Sequence, residues 1–191
     1  MEKIYGWCFV RYGLSHRVES IDDKLIEDTL SLVKKGELKD SKIVDPTGFS
    51  KRSSVGMWIS DKKILNEYLL VAQYINRRCG WDFEIDEIEP LQYTEYHEGG
   101  EFGWHVDQHN TPYSDNRVRK VSFSIILNDD FNGGEFDLET GNPNKDIRYD
   151  TMNVKKGQGI FFQSDYFHRV RPVTGGVRKS LVGWVLGPKF L

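Results

Sequence analysis

The sequence predicts a mainly β protein with some α-helix, built as a jelly roll or barrel with N-terminal helices packed outside it. Three observations predict this class. Two windows before residue 82 carry apolar residues at helical spacing. From Phe83 onward, short runs rich in β-branched and aromatic residues follow one another, and Gly and Asn turn signals separate them. A chain of 191 residues can bury one good core, so one domain is expected, with residues 1–82 as a strand and helical support region and 83–191 as the β core.

Taken in order, Ile4 to Tyr12 mixes apolar and aromatic residues over a strand's length and is expected at a sheet edge. Ser20 is expected to cap a helix whose early turns hold Asp22, Asp23 and Glu27, with Ile21, Leu25, Leu32 and Val33 near helical spacing and Lys34-Lys35-Gly36 as its stop. Residues 37–56 are polar, turn at Asp45-Pro46 and Gly48, and read as a loop. Ser60 is expected to cap a second helix, in which Ile64, Leu65, Tyr68, Leu69, Ala72 and Ile75 form one apolar stripe ending at Cys79-Gly80. Such a stripe is core. Strands are expected near 91–97, 101–107, 118–128, 134–138, 147–154, 158–162, 167–171 and 177–186. Turns at Gly99-Gly100, Asn132-Gly133-Gly134, Gly141-Asn142-Pro143 and Gly175-Gly176 punctuate them, which is the spacing of a jelly roll or barrel.

Charge and cysteine usage narrow the function classes. The net charge is −3, from 26 basic and 29 acidic residues, so no overall field favours nucleic acid or an anionic membrane. The clusters Arg117-Arg119-Lys120 and Arg169-Arg171 alternate with apolar residues and read as solvated strand faces. Cys8 and Cys79 lie far apart, giving neither a disulfide framework nor a thiolate site. No window approaches the ~18 apolar residues of a membrane span, and Met1 to Val10 lacks the pattern of a signal peptide. A soluble, cytoplasmic protein is the expectation.

The chemistry concentrates at Trp104-His105-Val106-Asp107. In a strand, His105 and Asp107 share one face while Trp104 and Val106 take the other. An imidazole and a carboxylate so placed are two thirds of the facial triad that holds non-haem Fe(II), although a hydrogen-bonded pair on a strand surface has the same spacing. His16, His97, His109 and His168 are the remaining histidines. His168 is the best placed, in the strand-like run Tyr166 to Val170 that follows Gly157-Gln158-Gly159-Ile160-Phe161-Phe162, where a half-exposed strand histidine is the alternative. If Pro172 to Gly176 close a hairpin, Arg178 falls opposite Val170, on the face of His168. Two residues of strand are about 7 Å, which suits a small dicarboxylate held by a metal at one end and a bidentate guanidinium at the other.

The order Tyr96-His97-Glu98-Gly99, Phe102, His105-Val106-Asp107, Leu127-Asn128-Asp129, Gly133-Gly134-Glu135, His168, Arg178 and Trp184 resembles the Fe(II)- and 2-oxoglutarate-dependent dioxygenases, in particular their prolyl 4-hydroxylase-like branch, over about residues 90–187. The resemblance implies a double-stranded β-helix with His105, Asp107 and His168 on Fe(II). It implies Arg178 on the far carboxylate of 2-oxoglutarate, Tyr96 lining that pocket and Trp184 walling it. Oxygen is the co-oxidant, ascorbate is left open as an accessory reductant, and decarboxylation of 2-oxoglutarate to succinate is coupled to hydroxylation of a C–H bond.

Departures from the family pattern bear on the substrate. Part of the branch has lysine in place of Arg178, and some members have a tyrosine near Ile126, where Ser122 and Ser124 share the face and could supply a hydroxyl. The nucleic-acid repair branch has a second arginine at the position of Trp184, so a polynucleotide ranks below a polypeptide. A prolyl residue in a peptide or protein is the expected substrate. The loop Gln108 to Asn116 and the polar 42–54 segment would form its rim, and Tyr113 would stack on the proline ring. The alternatives are a hydroxylase of a free amino acid or other side chain, a zinc-dependent hydrolase with the same ligands, and a non-catalytic jelly-roll binding module.

Overall fold

Alternating apolar and polar residues fold into two facing sheets, one of them carrying helices on its outer side. The computed structural model describes residues 14–34, 36–41, 51–109, 111–141 and 148–189. The first half runs β1 (His16–Ser20), α1 (Asp23–Val33), β2 (Lys39–Asp40), β3 (Val55–Ile59), α2 (Lys62–Arg78), β4 (Glu87–Ile88), β5 (Leu91–Tyr96) and β6 (Phe102–His105). The second runs β7 (Arg117–Ile126), β8 (Phe131–Gly133), β9 (Phe136–Glu139), β10 (Tyr149–Met152), β11 (Gln158–Gln163), β12 (His168–Val170), β13 (Val173–Gly176) and β14 (Arg178–Pro188). The expected strand over Ile4 to Tyr12, Cys8, the turn residues Asn142-Pro143 and most of the 42–54 segment lie outside the described residues.

Both helices start after the serines expected to cap them. Asp22 caps α1 by accepting the Leu25 amide, and Ser20 instead ends β1. Asp61, not Ser60, caps α2, accepting from the amides of Lys63 and Ile64. A carboxylate in that place satisfies orphan N–H groups and also faces the positive end of the helix dipole. The α2 stripe is core as expected, with Ile64, Tyr68, Ala72 and Ile75 buried.

Among the described residues the large sheet has the order β1-β11-β7-β14-β5-β3-β2, with β4 added on β14, and the second sheet has the order β10-β9-β12-β6. All eight expected strands form. Val55 to Ile59, whose first two residues fall in the expected loop and whose last three were given no element, is a strand because it pairs with β5 from Val55↔Glu95 to Ile59↔Leu91. The expected hairpin does not form. Residues Val173 to Gly176 pair with β8, β14 crosses to the large sheet where Arg178 opposes Tyr96, and Val170 opposes Phe102 and Phe136 in the second sheet.

The helices cover one face of the large sheet. There Val121, Phe123, Ile125, Phe161 and Leu181 join Tyr68, Ala72 and Ile75 in one core, with Tyr68 stacked on Phe123 at 5.8 Å. Each Val, Leu, Ile or Phe side chain among them contributes about 1.5–3 kcal/mol by burial. The other face looks at the second sheet across Tyr96, Phe136, Leu138, Ile160 and Phe162. The basic clusters are not the solvated faces expected. Lys120 is buried, and Arg169 and Arg171 hold the fully buried Asp137 at 2.7 and 2.8 Å on the outside of the second sheet. Among the described residues no helix is long and apolar enough to cross a membrane.

Candidate active site

The two sheets bring His105, from the end of β6, against His168, the first residue of β12 and its direct cross-strand partner. Trp104 points the other way, against Tyr149, as strand alternation requires. Asp107 is not a strand residue. It lies past the end of β6, where the amides of Asp107 and Gln108 both donate to the Ser164 carbonyl at 3.0 and 2.9 Å, and this turn carries its carboxylate to the two imidazoles.

His105 Nδ1 is 2.8 Å from the Gly103 carbonyl, and His168 Nδ1 is 3.0 Å from the Tyr166 carbonyl. A carbonyl only accepts, so each Nδ1 carries a proton, and in the neutral ring it is Nε2 that presents a lone pair. Those Nε2 atoms stand 3.7 and 3.5 Å from the two oxygens of Asp107, too far for good hydrogen bonds. The three ligand atoms lie within 4.8 Å of one another, the spacing of groups that share one ion at about 2 Å. Burial and the neighbouring His168 push His105 down to about 3 despite Asp107, so its imidazole is neutral as a ligand must be. Burial raises the Asp107 carboxyl, but His168, His105, Arg119 and a hydrogen bond from Ser122 outweigh it and hold it below the usual range. Phe102 stacks on His105 at 3.5 Å and Phe162 packs on His168 at 4.7 Å, which limits ring rotation.

Arg178 opens into the same cavity from the opposite sheet and is 1% exposed. Its Nη1 donates to Ser180 Oγ at 3.1 Å, its Nε has no partner, and no carboxylate pairs with it among the described residues. Burial pulls its pKa below the usual value, with Tyr96 opposing. A guanidinium this deep costs several kcal/mol unless an anion joins it. Gly134 is what admits it: the backbone there has φ +65°, and a Cβ would meet Arg178 Cδ at 2.8 Å. The neutral His105 imidazole, the inward Nε2 of His168, the ionised carboxylate and the orphaned cation together fit a divalent iron with a dicarboxylate cosubstrate.

Tyr96, Ser124 and Trp184 line this cavity, and the Arg178 guanidinium lies 5.6 Å from the Tyr96 ring centre. Ser122 does not line it. Its hydroxyl lies 2.8 Å from that of Ser164 and supports Asp107. Tyr113 is also outside the lining, with its hydroxyl donating to Glu89 at 2.9 Å and its ring edge-on to His109. Sequence reasoning missed three groups. Arg119 forks onto Glu89 at 2.6 Å and lies 4.2 Å over the Trp184 ring. Trp58 stands 5.9 Å from Trp184. Arg52 lines the cavity beside Gln92. Arg119 looks like any strand arginine in the sequence, Arg52 sits in the polar stretch read as a loop, and Trp58 lies between that loop and the second helix, where no element was expected.

Known proteins are similar to this chain in sequence and in fold. A PKHD-type hydroxylase of Synechococcus sp. (strain CC9902) is 31% identical over 129 residues, which are 66% of this chain and 50% of that protein. The chain thus spans about half the length of the relative it matches. A Pseudomonas putida prolyl-4-hydroxylase has the same fold, with a TM-score of 0.66 at 19% identity over 92% of this chain and 94% of the other. So does a Trichoplax adhaerens prolyl hydroxylase in complex with a hypoxia inducible factor peptide fragment, with a TM-score of 0.63 at 20% identity over 90% and 83%. The family model of the 2OG-Fe(II) oxygenase superfamily matches residues 91–186, half of the chain and every strand that carries a ligand, and the chain belongs to that superfamily.

Proposed function

We propose that this chain is a 2-oxoglutarate-dependent dioxygenase that uses Fe(II) held by His105, Asp107 and His168 to hydroxylate a prolyl residue in a peptide or protein. The observation that carries the reading is the pairing, in one cavity, of that ligand cluster with a buried arginine that has no carboxylate of its own. A zinc hydrolase with the same ligands would have no task for Arg178, and a non-catalytic module would have no reason to keep its charge buried. Membership of the superfamily supports the reaction class. The Trichoplax neighbour, whose structure includes a peptide fragment, supports a peptide substrate.

Fe(II), 2-oxoglutarate and oxygen together supply the oxidation, in which 2-oxoglutarate loses carbon dioxide to become succinate and one oxygen atom enters succinate and the other the substrate hydroxyl. The chain's own residues do the rest. His105 and His168 keep their Nε2 lone pairs directed inward because Nδ1 is tied to backbone carbonyls. Asp107 balances part of the ion's charge. Arg178 binds and orients the far carboxylate of the cosubstrate, with Ser180 fixing one of its arms. Phe102, Phe136 and Phe162 exclude water from the ligand side.

Succinate release that requires Fe(II), 2-oxoglutarate and oxygen, together with a gain of one oxygen atom on proline-containing peptides by mass spectrometry, is the expected result. Oxygen gain on a free amino acid and on no peptide would remove the prolyl-peptide reading and leave the reaction class standing. Turnover without oxygen would remove the reaction class itself.

A further inference from the structure

The cavity contains a second arginine without a carboxylate. Arg17, Arg117, Arg119, Arg169 and Arg171 each hold an acidic side chain. Arg52 has only neutral acceptors: Nε donates to Ser54 Oγ and Nη2 to Gln92 Oε1, both at 2.9 Å. No carboxylate reaches it among the described residues, and it lines the cavity that holds His105, Asp107 and His168. Its guanidinium lies 4.7 Å over the Phe102 ring, which itself stacks on His105 at 3.5 Å, so one ring touches both the charge and a metal-ligand candidate.

Arg52 and Arg178 mark different ends of the site. Arg178 opposes Tyr96 on β5, whereas Arg52 is tied to Gln92 on the same strand. Four residues of strand separate those anchors, about 13 Å. Arg178 is buried and Arg52 half-buried, so Arg52 belongs to the outer end.

The charge balance makes the same point. A divalent ion and a doubly charged 2-oxoglutarate are neutralised by Asp107 and Arg178 between them. Arg52 is then the one positive charge left over among the residues lining the cavity. A cation in a partly desolvated site favours an anionic partner and disfavours a cationic one.

We propose that Arg52 is a substrate-specificity residue, and that the substrate carries a carboxylate at or next to the residue whose C–H bond is hydroxylated. The inference rests on the proposed function above for the identity of that residue as proline. Its chemistry is that of a carboxylate, either the α-carboxylate of the target itself or the side chain of a neighbouring Asp or Glu. A guanidinium fork receives either one.

The test titrates the wild type, Arg52→Gln, Arg52→Lys and Arg52→Glu, each loaded with Mn(II) as a redox-inert ion and with 2-oxoglutarate. The probes are short peptides with Glu directly before or after proline, the same peptides with Gln or Lys in that place, and free L-proline with its amide. The wild type is expected to bind a Glu peptide, or L-proline, about tenfold to hundredfold more tightly than its neutral counterpart. Arg52→Gln is expected to lose that preference, Arg52→Lys to keep part of it, and Arg52→Glu to turn it toward the Lys peptide. Which acidic probe shows the preference tells the two carboxylate sources apart. Equal binding of acidic and neutral probes by the wild type, or an undiminished preference in Arg52→Gln, overturns the proposal. Turnover with Fe(II) and oxygen separates it from the reading it rests on. If acidic probes bind through Arg52 but no prolyl probe gains oxygen, only the prolyl reading fails; if prolyl probes gain oxygen and bind without regard to charge, only the role of Arg52 fails.

Discussion

The large sheet has two buried faces made by the same strands, one apolar and the other mixing apolar side chains such as Tyr96, Ile160 and Phe162 with buried polar groups. Toward the helices it presents Val121, Phe123, Ile125, Phe161, Leu181 and Leu91, each with no exposed surface. Toward the second sheet it presents Ser122, Ser124, Gln92, Thr94, Arg178 and Ser180, all between 0 and 6% exposed. Polar groups cost free energy when buried without partners, and Thr94 Oγ1, Arg178 Nε and Trp184 Nε1 have none among the described residues. A sheet that only had to be stable would not be built this way. The helix-facing side supplies cohesion, and the inner side keeps polar groups dry for ligands that the protein itself does not provide.

The sharpest way to break that division is to remove one residue from each face. His168→Ala is expected to abolish metal binding and turnover while shifting the thermal unfolding midpoint of the metal-free protein by only a few degrees. Metal analysis and calorimetry read the two effects separately. Phe161→Ala, on the other face, is expected to cost about 3–5 kcal/mol in chemical denaturation because it empties a fully buried position packed 5.2 Å from Phe123. A His168 variant as unstable as the Phe161 variant would show that the inner face also carries the fold.

Arg178→Met sharpens the comparison further. Loss of a charge-assisted contact to the cosubstrate is expected to weaken 2-oxoglutarate by roughly tenfold to hundredfold, with metal affinity little changed. The ligand-free protein should be no less stable than the wild type, because a buried charge without a counter-ion is replaced by an apolar side chain of similar length. Titration of 2-oxoglutarate beside an unfolding curve checks both. An unshifted titration would remove Arg178 from the cosubstrate site.

Much of this was legible before the structure, and the part that was not shares one cause. Strand alternation placed Trp104 and His105 on opposite faces, and the late histidine did meet the early one. What local spacing cannot supply is the choice of partner strand. Arg178 reaches the cavity by crossing to the other sheet, through pairing of Val173–Gly176 with β8, and not by the hairpin that its distance from His168 suggests. Asp107 reaches it through a turn held by Ser164. Val55 to Ile59 became a strand because β5 offered an edge. Gln92 and Arg119 were invisible for a related reason: in sequence they alternate like residues of a solvated sheet, while Arg52 sits in a stretch that reads as a loop, and only tertiary packing buries them.

The smallest expected effect lies at the margin of the inner face, where the large sheet extends past the second one. Trp58 opposes Gln92 in register and so shares its face, stands 5.9 Å from Trp184, and is 54% exposed. Tyr113, the aromatic that the sequence suggested for stacking on a proline ring, has its hydroxyl engaged by Glu89 and lies off the cavity lining. An aromatic platform contributes about 0.5–1.5 kcal/mol beyond its area. Trp58→Ala is therefore expected to raise the KM for a peptide roughly twofold to tenfold, leave the 2-oxoglutarate titration unchanged and, because the ring is half in solvent, alter stability little. Tyr113→Ala is expected to have the weaker effect on peptide KM. If the two variants behave in the reverse order, the substrate enters over the loop that follows Asp107, and the inner face ends at Trp184 rather than continuing onto β3.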